Sequence, residues 1–440
     1  MPRATRLPRL LHRVPRTAGA VRTYALVALL GGCGIAILEL VREQTGTPGF
    51  FVGLGLALLP VAPLVAAFRW VGRASPHPWA QLAFCFGWGA CAAALIAILA
   101  NSFATQWIAA ATADPSDADQ LGSVAIAPVV EESAKAAALL LVFLFRRRQF
   151  SGPSDGFVMA GFTATGFAFT ENILYLGNAF DQDVENGTGV LNSVTAATFF
   201  VRGIMSPFAH PLFTVATGLG FGAAALAVRR TRRIGLPLLG LASAMGLHAL
   251  WNSSSDLGES GFYVVYGCVM VPVFALLAWL AVWIRRRRLR AVAGELALYA
   301  AAGWLSPAEV PALVSMPARS LARALARSTG GRPAGRAVAL YEADAAALAL
   351  LRHRARGGPD REPDFAGRER ELLRRLWLRR ATAGPALSRA AVLEELLPPC
   401  FDPLGGPGRV PGPSLVPGPV LVPGPRRSGP VPSAMTAGPP

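Results

Sequence analysis

The sequence predicts an all-α protein: a polytopic transmembrane helical bundle of about eight spans, a helical cytoplasmic C-terminal region and a disordered Pro/Gly-rich tail. Three observations carry that reading. The 440-residue chain is 53% hydrophobic with a mean hydropathy of +0.42, too apolar for a soluble globular domain. Its apolar stretches are separated by short arginine clusters at segment ends, the pattern that orients membrane helices. One apolar stretch, residues 128–143 (PVVEESAKAAALLLVF), carries Glu131, Glu132 and the chain's only lysine, Lys135. An ionisable group in hydrocarbon costs roughly 2.5–3.5 kcal/mol on insertion scales, so three together demand a purpose. The formal charge of +16 comes from arginines in those short runs and does not point to nucleic acid.

The elements follow in order. Residues 1–23 hold six arginines and no acid and read as a basic cytoplasmic N-terminus. They resemble a signal peptide, and Leu30-Gly31-Gly32-Cys33 resembles a lipoprotein cleavage box, but the apolar run continues to Leu40 and predicts an uncleaved first span. The membrane core is read over residues 24–290, with spans at about 24–40, 50–68, 79–100, 123–145, 157–177, 205–228, 236–251 and 262–284. Twenty arginines fall on one side of this arrangement, in the N-terminus and at residues 69–73, 146–148, 229–233 and 285–290. The other side carries Arg42 and a set of acids that includes Asp114, Asp117, Asp119, Asp181, Asp183, Asp256 and Glu259. The positive-inside rule therefore places both termini in the cytoplasm of a multi-pass cell-membrane protein. Pro207 and Pro211 should kink the sixth span and free carbonyls near His210.

After Arg290 the pattern changes. Residues 291–397 carry apolar pairs at helical spacing (Leu321 and Leu325, Leu348 and Leu351, Leu372 and Leu376), with breaks at Gly330-Gly331 and Gly357-Gly358-Pro359. A helical cytoplasmic region is expected. Residues 398–440 repeat Pro-Gly and cannot build a core. Four of the five cysteines lie in apolar segments, and none forms a metal-binding pair motif.

Four spans bring acid-base groups to similar depth. Glu131 lies about eight residues, roughly 12 Å, below the outer edge of span 4, and Glu171 roughly 9 Å from the same edge on span 5. His248 rises roughly 18 Å from the inner end of span 7, and His210 sits roughly 27 Å above the inner end of span 6. All four fall in the outer half. Two chemistries suit the set. His210, His248 and a carboxylate, Glu171 among them, can hold a zinc-like divalent ion while a second carboxylate takes a proton from water. Alternatively a glutamate activates water without a metal, and His248 and Asn252, one turn apart, donate to an oxyanion. Either hydrolyses an acyl bond. The rival class is a proton- or ion-coupled transporter using the same carboxylates, which calls for inverted repeats and paired broken helices; no second copy of span 6 is visible.

At these residues the chain resembles the PrsW family of intramembrane proteases, in the wider superfamily of the prenyl-CAAX endopeptidase and the Abi proteins. Four blocks carry the resemblance: Glu131-Glu132-Ser-Ala-Lys135; Asp155-Gly156 through Gly166-Phe-Ala-Phe-Thr-Glu171-Asn172-Ile-Leu-Tyr175; Arg202 to His210; and His248-Ala-Leu-Trp251-Asn252. It implies an intramembrane endopeptidase, metallo- or glutamic-type, that cleaves membrane-associated protein substrates such as anti-sigma factors on the extracytoplasmic side. Carried over by position, Glu131 or Glu132 is the water-activating base, with Glu171, His210 and His248 completing the catalytic set. Glu171 stands where the CAAX branch is expected to have a histidine, and His210 would supply the missing imidazole. Lys135, Asn172, Arg202 and Asn252 would support the set, Lys135 by fixing the carboxylates through its opposite charge. Asp155 reads as a helix cap.

Overall fold

The computed structural model describes residues 16–396 except 75–76, 113–119, 147–149, 190–191, 259, 357–361 and 363. The first fifteen residues, the loop acids Asp114, Asp117, Asp119 and Glu259, the expected break at 357–359 and the Pro/Gly-rich tail lie outside the described residues. Every regular element among the described residues is helical, as the composition requires of a chain whose backbone groups must be satisfied within hydrocarbon. The chain divides into two compact units, one ending at Arg285 and one starting at Arg286.

The first unit begins with α1 (Arg16–Gly72), which breaks at Gly46, where φ is +64°. A residue with a Cβ is strained there, and the break separates the two apolar segments expected as spans 1 and 2. Helices α2 (Trp79–Gly87) and α3 (Ala94–Thr112) are joined through a π-helical turn, Trp88–Ala93, into one rod. A second π turn, Gly122–Ile126, leads into α4 (Ala127–Phe145), which starts with Pro128 in its first turn, where a missing N–H costs nothing. Helix α5 (Pro153–Asn186) is the central element, with buried residues from Ser154 to Ala179. Asp155 lies in its first turn rather than at the N-cap, which is Gly152, and there it accepts the Ser151 backbone N–H and pairs with His77 at 3.1 Å.

The sixth apolar segment is interrupted, as its prolines require. Helix α6 (Val194–Phe199) runs into a π turn, Phe200–Met205, and the chain then bends through Ser206 before α7 (Ala209–Leu226) starts. Helix α8 (Arg230–Asn252) is 23 residues long and exceeds the sixteen-residue seventh span read from hydropathy, because its first turn is built from arginines that hydropathy discounts. A short helix α9 (Gly261–Val265) passes through a π turn into α10 (Val271–Ala301).

Five helical stretches among the described residues are long and apolar enough to cross a membrane: Thr23–Gly72, Trp79–Ala110, Val194–Leu226, Arg230–Asn252 and Gly261–Ala301. Helices α4 and α5 carry the acids and the lysine of the cluster, Glu131, Glu132, Lys135 and Glu171, together with Asp155. Close helix contact positions α5 against α7: a Cβ on Gly156 would sit 1.8 Å from the Gly218 carbonyl oxygen. Small residues of this kind let helix backbones approach within the bilayer, where packing replaces the hydrophobic effect.

The second unit includes the end of α10, then α11 (Glu309–Val314), α12 (Met316–Ala355) and α13 (Phe365–Leu396). Its own core includes Leu296, Leu313, Val338, Tyr341, Leu348, Leu376 and Leu387. Helix α12 breaks at the expected Gly330-Gly331, where Gly331 has φ +69°.

Candidate active site

The site grows from α4. Glu131, Glu132 and Lys135 fall within one turn, and α4 sits where both α7 and α8 can reach it. Lys135 Nζ lies 3.3 Å from Glu131, 2.8 Å from Glu132 and 3.1 Å from His210 Nδ1, and stands over the Phe167 ring at 3.8 Å. The Lys135 and Glu132 side chains are wholly buried. Three acceptors match the three N–H bonds of the ammonium, so the charge is compensated where an unpaired one would cost several kcal/mol (~3–5 kcal/mol for a broken buried pair).

The two neighbouring glutamates have different surroundings. Glu132 Oε1 receives Lys135 and faces His248 Nδ1 at 3.2 Å, while its Oε2 accepts the Thr214 hydroxyl at 2.8 Å. Both oxygens are engaged. Glu131 has Lys135 as its hydrogen-bond donor and faces His248 Nε2 at 3.9 Å. Glu131 also borders a cavity of about 200 Å³ that reaches Glu171.

His210 is the second residue of α7, placed directly after the bend at 206–208. Its Nε2 lies 2.6 Å from Glu171 Oε2, and the same oxygen is ion-paired with Arg202. Arg202, in the π turn, also donates from Nε to Asn172 at 2.8 Å and covers the Tyr175 ring at 3.9 Å. Both Glu171 contacts fall on Oε2, leaving Oε1 for other work. His248 is buried, with Phe213 stacked on its ring at 4.9 Å, and the two imidazole centroids are 5.3 Å apart.

The structure therefore brings Glu131, Glu132, Lys135, Glu171, His210 and His248 into one cluster, with Arg202 bracing Glu171 and Asn172 holding Arg202. Asn252 is used differently: its side-chain N–H donates to the Ser123 carbonyl at 2.8 Å and ties the end of α8 to the turn before α4. Thr214, Phe167 and Phe213 are the participants that residue types alone did not single out. Thr214 had a signal, since it follows His210 by four residues and shares its helix face.

The donor chemistry fits a divalent ion. One ligand atom each from Glu131, His210 and His248 lies within 4.8 Å of the others, with Glu171 held instead against His210 and Arg202. Two imidazoles and a carboxylate are a zinc-type set, and His248 already has the carboxylate on its second nitrogen that orients metal-bound histidines. Charge agrees as well: three carboxylates face two fixed cations, Lys135 and Arg202.

The family model described as PrsW family intramembrane metalloprotease matches residues 77–277, a range that contains every member of the cluster. No curated protein and no solved structure matches the chain. The family match selects a membrane-embedded peptidase over the transporter reading.

Proposed function

From the match of residues 77–277 to the PrsW family model, we propose that the protein cleaves peptide bonds of membrane-anchored proteins, with Glu131, His210 and His248 holding a zinc ion. The observation that carries this reading is the convergence of those three donors, from three separate helices, on one buried point bordered by a cavity. When bound, the ion supplies Lewis-acid polarisation of the substrate carbonyl and acidifies water.

The protein's own groups do the rest. Glu171, through Oε1, takes a proton from the attacking water as its oxygen bonds to the carbonyl carbon, and returns that proton to the leaving nitrogen as the C–N bond breaks. Arg202, itself held by Asn172, keeps Glu171 in position and balances its charge. Glu132 orients His248 and is itself fixed by Lys135 and Thr214. The arginine asymmetry of the loops supports cytoplasmic termini, with the cluster towards the outer leaflet and an anti-sigma-type substrate cleaved there.

A metal-free glutamate mechanism is the second reading, favoured by one observation: both nitrogens of His210 already have partners, Lys135 and Glu171. In that case Glu131, bordering the cavity, is the base. The test is cleavage of a single-span substrate by the purified protein in proteoliposomes, with elemental analysis of the same preparation. About one divalent ion per chain, and loss of cleavage by about 10²–10⁴-fold in Glu131→Gln with insertion intact, are expected. Undiminished cleavage by Glu131→Gln overturns both readings.

A further inference from the structure

The cavity beside Glu131 and Glu171 has features that the hydrolytic chemistry does not use. It is about 200 Å³ in volume and lies between α1, α3, α4 and α5. Its rim carries the exposed residues Gln44, Ser102 and Tyr175, and its floor is made by Ala94, Ala97 and Phe167, all buried. On its wall stands Asn101, whose Oδ1 is buried and has no hydrogen-bond partner among the described residues. A buried acceptor left unpaired is a standing cost, and native structures keep few of them.

What such an acceptor lacks is an N–H donor, and the peptidase reading, on which this inference rests, brings one. A transmembrane helix must unwind locally before its peptide bond can meet the reacting groups. Unwinding exposes backbone N–H groups in a medium that offers no water to satisfy them. We propose that the cavity seats the unwound segment of a single-span substrate, with Asn101 Oδ1 accepting a backbone N–H next to the scissile bond. The alanine floor against Phe167 receives an aliphatic side chain of that segment. Gln44 and Ser102, at the rim, supply polar groups where the segment leaves the cavity. Asn101 is thus a substrate-positioning residue on a helix, α3, that contributes nothing to the acid-base cluster.

The proposal is tested on the full-length protein in proteoliposomes. The probe is a synthetic single-span peptide with one cysteine scanned along its outer half. Under an added mild thiol oxidant, Ser102→Cys in a Glu131→Gln background should form a disulfide with the probe at one narrow register, above the level given by the native cysteines of the Glu131→Gln parent. In the otherwise unaltered enzyme, Asn101→Leu should raise KM for the probe about tenfold while kcat stays within about threefold. A retained cross-link in Asn101→Leu/Ser102→Cys/Glu131→Gln shows that this variant is folded. No cross-link at any peptide position overturns the subsite, whatever the activity. An unchanged KM in a folded Asn101→Leu overturns the role of Asn101. A register-specific cross-link with no cleavage by the unaltered enzyme supports the subsite and removes the hydrolytic reading, so the two failures are distinguishable.

Discussion

Glu132 and His248 meet across two helices, Oε1 to Nδ1 at 3.2 Å, and this contact divides the labour between two adjacent carboxylates. Glu132 is engaged on both oxygens, whereas Glu131 borders the cavity. Glu132 is thus an orienting group. Glu132→Gln keeps one acceptor oxygen but removes the negative charge that Lys135 and His248 face, and should lower kcat and ion affinity by about 10–100-fold, the usual size of an outer-shell effect. Glu131→Gln should cost more. Side-by-side kcat measurements and ion titrations of the two variants check the order; equal losses from both would contradict the division.

Thr214→Val keeps the shape of the side chain and removes the hydrogen bond to Glu132 Oε2. A hydrogen bond to a buried charge contributes about 1.5–3 kcal/mol, so the variant should unfold more readily by that amount. Its activity should remain within tenfold of the parent, because Lys135 and His248 still hold Glu132. Thermal unfolding and cleavage rate, measured on one preparation, report the two effects separately.

Gly156→Ala tests the approach of α5 to α7. The added methyl would sit 1.8 Å from the Gly218 carbonyl oxygen, a backbone atom that cannot rotate away. Separation of the two helices also pulls Glu171 from His210, 2.6 Å apart on the same pair. Loss of about 1–3 kcal/mol or more in stability and a fall in activity are expected together. Normal melting and normal cleavage would show that this contact does not position the site.

Removal of the ion separates the two hydrolytic readings. Dialysis against a chelator should abolish cleavage, and stoichiometric zinc should restore it. Chelator-resistant cleavage, lost in Glu131→Gln, would assign the reaction to the metal-free glutamate mechanism.

The second unit carries a pH dependence of its own. Burial pushes the Glu342 carboxyl up from 4.5 to about 7, against the partial relief given by Arg323, 3.8 Å away, and Arg319. Its folded form therefore holds a proton that the unfolded chain releases between those two values. Stability is unaffected below pH 4.5, falls as pH rises to about 7, and is level above, with a total cost of about 3 kcal/mol. Glu342→Gln should remove that cost: amide exchange along α12 should slow at pH 8 and stay unchanged at pH 4.5. Equal exchange in variant and parent at pH 8 would show that Glu342 ionises freely.

Local physics made much of this molecule legible in the sequence. Hydropathy marked the apolar segments, because transfer of a helix into hydrocarbon depends on its own side chains. The cost of burying charge singled out Glu131, Glu132, Lys135, Glu171, His210 and His248, and Pro207 and Pro211 announced the bend before α7. Residue spacing announced part of the core of the second unit, through Leu348 and Leu376, but not its alanine-rich faces, which become apolar contacts only when α12 and α13 pair.

The assignment of individual roles belongs to the tertiary structure. Glu131 and Glu132 are neighbours of identical chemistry, about 100° apart around α4, and only the placement of α7 and α8 decides which meets Thr214 and His248 and which borders the cavity. Placement likewise sends the Asn252 amide to Ser123 and leaves Asn101 Oδ1 buried without a donor among the described residues. Composition and periodicity determine what each helix must hide, because that cost is paid residue by residue. Which groups then meet is settled by how separate helices pack, through distances that no single segment encodes.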